Sequence, residues 1–176
     1  MTTELTEATT DKGWGAHRSK VVEWHDPAPT TARGLSMPGI DYLNAMIAGE
    51  LPPPPISGLM EFGLVEAEPG RVVFTCRPDE SAYNPIGAVH GGLVCTLLDS
   101  VAGCAMHSTL PRGRGYTSIE IKVNYLKAVR LSSGLLTATG TVLKAGSRVG
   151  FTEGVVTDAA GAVVATATST LLVFDL

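Results

Sequence analysis

The spacing of hydrophobic residues along this chain changes period several times, and each change marks an element. Between Gly39 and Gly49, Ile40, Leu43, Met46 and Ile47 recur at helical spacing and stop near a glycine, which predicts a short helix. Pro52 to Pro55 then predict a stiff extended connector, because proline lacks an amide hydrogen and restricts the residue before it. Residues 59–66 and 71–78 read as two strands of a hairpin around Glu68-Pro69-Gly70, with Val72, Phe74 and Cys76 alternating against Val73 and Thr75. From His90 to about Ser108, two rows of apolar residues (Leu93, Leu97, Val101 and Cys104; Val94, Leu98, Ala102 and Ala105) give one long helix with a very broad apolar surface. After it the period drops to two: Ser118, Glu120, Lys122 and Asn124 alternate with Ile119, Ile121, Val123 and Tyr125 in a half-buried strand. Further Val- and Thr-rich strands are expected near 135–144, 147–157 and 162–173.

A lone helix that is apolar nearly all round must be buried, and the surrounding strands are the only partner large enough. The expected class is therefore α+β, a curved antiparallel sheet wrapped around one long central helix. Helices and strands do not alternate, so a doubly wound nucleotide-binding sheet is not supported. Residues 1–36 lack steady periodicity and read as an arm, partly disordered or docked, ahead of a domain over 37–176. Trp14 and Trp24 in that arm are expected to pack on the body or on a partner subunit.

Bulk properties narrow the partners. A net charge of -4 gives no electrostatic reason to bind a polyanion, so nucleic acid is not expected. No apolar stretch in the first thirty residues suits a signal sequence or a membrane span. Cys76, Cys95 and Cys104 form no CxxC pair and are odd in number, which suits reduced, mostly core thiols and a cytoplasmic setting. The four histidines are scattered, so no metal site is expected, and Gly146-Ser147-Arg148-Val149-Gly150 is not a GxSxG nucleophile motif.

The chemistry concentrates in the segment from Asn84 to Asp99. Gly91 and Gly92 sit where a loop enters the long helix, and a helix start offers unpaired amides, the positive end of the dipole and room for a ligand atom. That combination is a natural oxyanion site. Asp99 interrupts the apolar helix, a costly choice for a carboxylate unless it is paired or functional. The two positions are eight residues apart, so one helix separates them by about 12 Å along its axis. They cannot act on one carbonyl within one chain. If both serve one centre, a second copy must supply the acid, which predicts a homodimer with shared sites. Taken singly, His90 would be only a helix cap, Asp99 a backbone-bonded acid, and His107 a charge favoured by the dipole at the helix end.

The segment from Asn84 to Asp99, continued by Tyr116 to Tyr125, resembles the hotdog-fold acyl-CoA thioesterases of the phenylacetate-degradation (PaaI-like) branch. The resemblance covers about Gly58 to Phe174 and implies the hotdog fold, dimers that pair into a homotetramer, and hydrolysis of a CoA thioester. It implies that Asn84, His90 and Gly91 hold the thioester carbonyl and shape the oxyanion site, that Asp99 from the partner subunit is the catalytic carboxylate, acting as general base or nucleophile, and that Ser118 places the water or the carboxylate. Coenzyme A belongs to the substrate, and no separate cofactor is expected. Lys144 and Arg148, with Arg112 and Arg114, are candidates to meet its phosphates. Two rivals stand beside this reading: a hotdog dehydratase of hydroxyacyl thioesters, and a non-catalytic acyl-CoA binding module.

Overall fold

A computed structural model describes residues 13–176. Helices α1 (Pro27–Gly34), α2 (Gly39–Ile47) and α3 (Pro55–Met60) precede a hairpin of β1 (Phe62–Glu68) and β2 (Arg71–Cys76). The central helix α4 (Gly91–His107) follows, then β3 (Arg114–Tyr125), β4 (Leu136–Ala145), β5 (Val149–Thr157) and β6 (Val163–Asp175). The six strands pair antiparallel in the order β1-β2-β4-β5-β6-β3, leaving β1 and β3 at the edges. This is the expected α+β architecture, and α4 is the helix the sheet curves around.

Helix α4 buries Leu93, Val94, Leu97, Leu98, Val101, Ala102, Ala105 and Met106 against the inner face of the sheet. It can lie close because the floor beneath it is glycine. Gly140 on β4 pairs with Gly154 on β5, and a Cβ on Gly140 would stand 2.2 Å from the Val101 carbonyl oxygen. A Cβ on Gly150 would stand 1.9 Å from the terminal methyl of Met106. Two bulky strand residues there would hold the helix off the sheet and open voids around the fully buried Leu97 and Leu98.

Local chemistry moves three boundaries away from expectation. Pro55 does not extend the proline connector but opens α3 from its first turn, where a missing amide hydrogen costs nothing. Helix α3 closes on Glu61 in the left-handed conformation (φ 55°), so β1 begins at Phe62 rather than at 59. Within the arm, Asp26 caps α1 by accepting from the Ala28 amide at 2.9 Å, a helix that hydrophobic period alone does not signal. Trp14 and Trp24 are 83% and 63% exposed, so neither is buried against the body of this protomer.

His107 also departs from expectation. It is wedged between the rings of Tyr42 (5.7 Å) and Tyr116 (5.5 Å), and neither ring nitrogen has a hydrogen-bond partner. Burial holds its pKa below the usual imidazole value, so it is not the cation at a helix end that its sequence position implies.

Two outcomes test this packing. Gly140→Ala should lower stability by at least about 2 kcal/mol in urea unfolding, because helix backbone and not a flexible side-chain tip occupies the space. The depressed His107 pKa means that the unfolded chain binds a proton the folded one resists. Stability should therefore fall as pH drops below about 6.5, and His107→Phe should flatten that slope.

Candidate functional site

The start of α4 is held from both sides. Asn84 Oδ1 accepts from the amides of Ile86 and Ala88, each at 3.1 Å, and the Asn84 amide donates to the Ala88 carbonyl, which folds residues 84–88 into a fixed loop. Arg130 Nη1 ties that loop down by donating to the Gly87 carbonyl at 2.9 Å. The next amides donate to Val129 (from Val89) and Ala82 (from His90), so the chain enters the helix under backbone control.

His90 caps the helix: its Nδ1 accepts from the Gly92 amide at 2.8 Å. That bond makes Nδ1 the acceptor, so a neutral ring carries its proton on Nε2 and presents a donor outward. Among the described residues, the Gly91 amide has no acceptor. Tyr125 reaches back from β3 to donate to the Gly91 carbonyl at 2.9 Å, and a Cβ on Gly91 would lie 3.1 Å from its ring. The helix start thus holds one open amide with a narrow approach. Asn84, Gly91 and Tyr125 line one cavity of about 310 Å³, while His90 and Gly92 line a second one.

Asp99 occupies a different surface. The sequence pattern implies a buried carboxylate, but the structure leaves Asp99 exposed on a stripe with Gly92, Cys95 and Thr96 that the sheet does not cover. The helix is therefore apolar on three sides, not four. Ser118 Oγ donates to Asp99 Oδ1 at 2.8 Å, and Oδ2 has no partner among the described residues. The Cys95 thiol one turn away is raised by burial and by the Asp99 charge. Deeper along the helix, burial pushes the Cys104 thiol up to about 12, with Asp99 adding to the effect.

A bulge makes the Ser118 contact possible. Ser118 pairs with Leu171 but Glu120 pairs with Thr170, so Ile119 is an extra residue in β3. With strict alternation, Ser118 would share the outer face with Glu120, Lys122 and Asn124. The extra residue reverses the parity. Tyr116 and Ser118 face α4 before the bulge, and Ile121, Val123 and Tyr125 face it afterwards. Ile119 itself is left 57% exposed.

The structure brings Asn84 and Gly91 together, puts His90 beside them as the cap, and pairs Asp99 with Ser118 farther along the same helix. Lys144 and Arg148 are exposed at the β4–β5 turn, near the opposite end of β3 from Tyr125. Arg114, by contrast, is engaged with Asp175 at 3.2 Å and with the Ser147 carbonyl. Sequence reasoning passed over Tyr125 and Arg130. The helix-facing parity of the strand after α4 is the signal that finds Tyr125; nothing local marks Arg130. No group of three His, Cys, Asp or Glu residues placed to hold a metal ion occurs among the described residues.

A family model described as "Thioesterase superfamily" matches residues 86–165, from the loop before α4 into β6. The smu.793 protein of Streptococcus mutans UA159, solved bound to acetyl CoA, is 30% identical with a TM-score of 0.60, over 65% of this chain and 89% of that one. This chain belongs to the thioesterase superfamily. The phenylacetic acid degradation-related protein of Ralstonia eutropha JMP134 shares the hotdog fold at 26% identity, with a TM-score of 0.68 over 74% of this chain and 98% of that one. Acyl-coenzyme A thioesterase 13 of Homo sapiens is 34% identical over 90 residues, which span 51% of this chain and 63% of that protein. The chain thus spans less than two thirds of the length of such relatives. The superfamily match contains His90, Gly91, Asp99, Ser118, Lys144 and Arg148, and leaves Asn84 and the whole N-terminal arm outside.

Cys95 reports on this geometry directly. Asp99→Asn removes one of the two causes that raise its thiol, so thiol-specific labelling of Cys95 at mildly alkaline pH should speed up several-fold. An unchanged rate would mean that the carboxylate does not face Cys95.

Proposed function

We propose that this protein hydrolyses acyl-CoA thioesters to the free acid and coenzyme A, with each centre shared between two copies of the chain. The observation that carries the reading is an open helix-start amide at Gly91 on the same helix as an exposed carboxylate, Asp99, whose Oδ1 is pinned by Ser118 and whose Oδ2 is open. The Gly91 amide, assisted by His90 Nε2–H, stabilises the oxyanion that forms on the thioester carbonyl. The Asn84 side chain fixes the loop with its oxygen and keeps its NH₂ free of partners among the described residues, to orient the carbonyl. Asp99 takes the proton of the attacking water, or attacks directly to give a mixed anhydride. The leaving thiol has a pKa near 8.5 and departs with little acid assistance, so one base and one oxyanion site suffice.

Sharing follows from the helix geometry and from the bare edge of β3. That strand is twelve residues long, pairs with β6 alone among the described residues, and runs beside the uncovered stripe of α4. Long unpaired edges are templates for pairing. A two-fold axis across β3 would set the stripes of two α4 helices antiparallel, bringing Asp99 of one copy towards Gly91 of the other. It would carry the partner's β4–β5 turn to the same end, which supports Lys144 and Arg148 as contacts for the CoA phosphates. Pairing of such dimers gives the tetramer. The three free thiols suit a reducing, cytoplasmic setting, and no helix among the described residues is long and apolar enough to cross a membrane.

Thiol release from a panel of acyl-CoA esters tests the reading. Asp99→Ala should cost about 10²- to 10⁴-fold in kcat. Gly91→Pro is the partner variant: it deletes the open amide at a position where proline suits a helix, His90 already has the extended conformation (ψ 134°) that precedes proline, and the Tyr125 ring, 3.1 Å from the new Cβ, must shift by a few tenths of an ångström. Each variant alone should keep about a hundredth of wild-type activity or less, yet the two mixed and reassembled should regain about a quarter of it, since half of the dimers contain one intact centre. No recovery, or an active monomer in sedimentation, would defeat the shared site. Enoyl product from 3-hydroxyacyl esters would favour a dehydratase, and tight binding without turnover a binding module.

A further inference from the structure

We infer that the N-terminal arm forms one wall of the acyl-chain cavity, and that Lys20, tied to Glu61 and Asp79, sets the length of acyl chain accepted. The inference deepens the thioesterase reading and rests on it for the identity of the ligand.

A cavity of about 430 Å³ opens beside the start of α4, on the side of His90 and Gly92. Its walls are hydrocarbon: Leu59 and Met60 from α3, Pro78 from the loop after β2, and Leu93 from α4. Lys20 closes it from the arm. The Lys20 ammonium lies 3.2 Å from a Glu61 carboxylate oxygen and 3.4 Å from one of Asp79, spanning the mouth between the end of α3 and the loop after β2. The arm is seated on either side of that bridge. Arg18 pairs with Glu80 at 2.8 Å, and the Glu23 carbonyl packs so closely on α3 that a Cβ on Gly58 would lie 2.7 Å from it. Burial alone would lower the Lys20 pKa, but its bonds to Glu61 and Asp79 prevail and raise it, so the bridge stays charged.

The chemistry of the rim selects the occupant. Glu61, Asp79 and Glu80 outnumber Lys20 and Arg18, so the mouth is net acidic and repels the phosphates of coenzyme A. The walls behind the rim are mainly hydrocarbon, with Ser81 and His90 as their uncharged polar side chains, so they offer few partners to the amides of pantetheine. An acyl chain asks for neither. His90 and Gly92, the chain neighbours of Gly91, both line this cavity, so an acyl chain whose carbonyl sits at the Gly91 amide can enter it past them, and the volume is that of a small-ligand pocket. Every wall segment except the start of α4 lies outside the superfamily match.

The test compares wild type, Lys20→Ala, Lys20→Arg and the double variant Glu61→Gln/Asp79→Asn, all as full chains, on straight-chain acyl-CoA esters from acetyl to palmitoyl. Each buried methylene should raise kcat/KM about fourfold until the cavity is full, after which the profile turns down. Lys20→Ala and the double variant should both move that turning point to longer chains, so their ratio of long-chain to short-chain kcat/KM rises by about tenfold or more. Lys20→Arg should keep the wild-type turning point. Affinities for non-hydrolysable thioether analogues of the same lengths, measured in parallel, should shift in the same way. Superimposable profiles in all four proteins would overturn the inference. If no ester is hydrolysed, the thioesterase reading fails by itself, and the Kd profile alone decides whether Lys20 limits chain length.

Discussion

Helix α4 can settle onto β4 and β5 only where those strands put no side chain in its way, and Gly140, Gly150 and Gly154 provide that floor. The close approach has consequences at every level. It lets Leu97, Leu98 and Val101 be fully buried, so that one helix organises the core of the whole sheet. It also fixes the rotation of the helix, because the side resting on glycine cannot turn away without losing those contacts. The stripe opposite, Gly92, Cys95, Thr96 and Asp99, is left outside by the same fit. The polar positions of α4 are thus aimed by the packing of its apolar ones.

A fixed helix needs a strand that meets its uncovered side, and the bulge at Ile119 supplies it. One extra residue lets β3 present Ser118 to the middle of α4 and Tyr125 to its start, while Glu120, Lys122 and Asn124 stay outside. Both contacts are single hydrogen bonds on partly exposed groups, so neither adds much to stability. They orient. Ser118 fixes one oxygen of a carboxylate that would otherwise rotate, and Tyr125 holds the first helical carbonyl so that the neighbouring amide keeps its direction.

Much of this was legible in the sequence, for reasons specific to each element. The rows Leu93-Leu97-Val101 and Val94-Leu98-Ala102 predict α4 within a residue at each end, because a buried helix cannot vary its period without losing its core. The resemblance carried by Asn84 to Asp99 led to the superfamily and to the fold. What the sequence concealed depended on non-local facts. The exposure of Asp99 depends on which helix face the sheet omits, and a helical wheel does not say. The bulge is hidden because Ser118 to Tyr125 alternates without a break in sequence, while one strand counts an extra residue against its neighbour. His107 reads as a terminal cation until Tyr42 and Tyr116 close on it from distant parts of the chain. Helix α1 begins from an Asp cap and a proline, with too little apolar surface to announce itself.

Placing the open amide and the carboxylate on one helix also constrains how catalysis can be organised. About 12 Å of rigid helix lies between Gly91 and Asp99, a separation that no side-chain motion closes within the chain. If the two meet on one substrate, the distance across the reacting carbonyl is set by the interface between two copies of α4. An interface built on strand edges is well suited to that task, since backbone pairing fixes register to the residue. A one-residue slip along β3 would move the partner helix by about 3 Å, enough to take its carboxylate out of hydrogen-bonding reach of a bound water. The bulge adjoins Ser118 on that same edge strand. The irregularity that aims Ser118 at Asp99 within one chain therefore lies where it also shapes the edge on which a second copy would have to register.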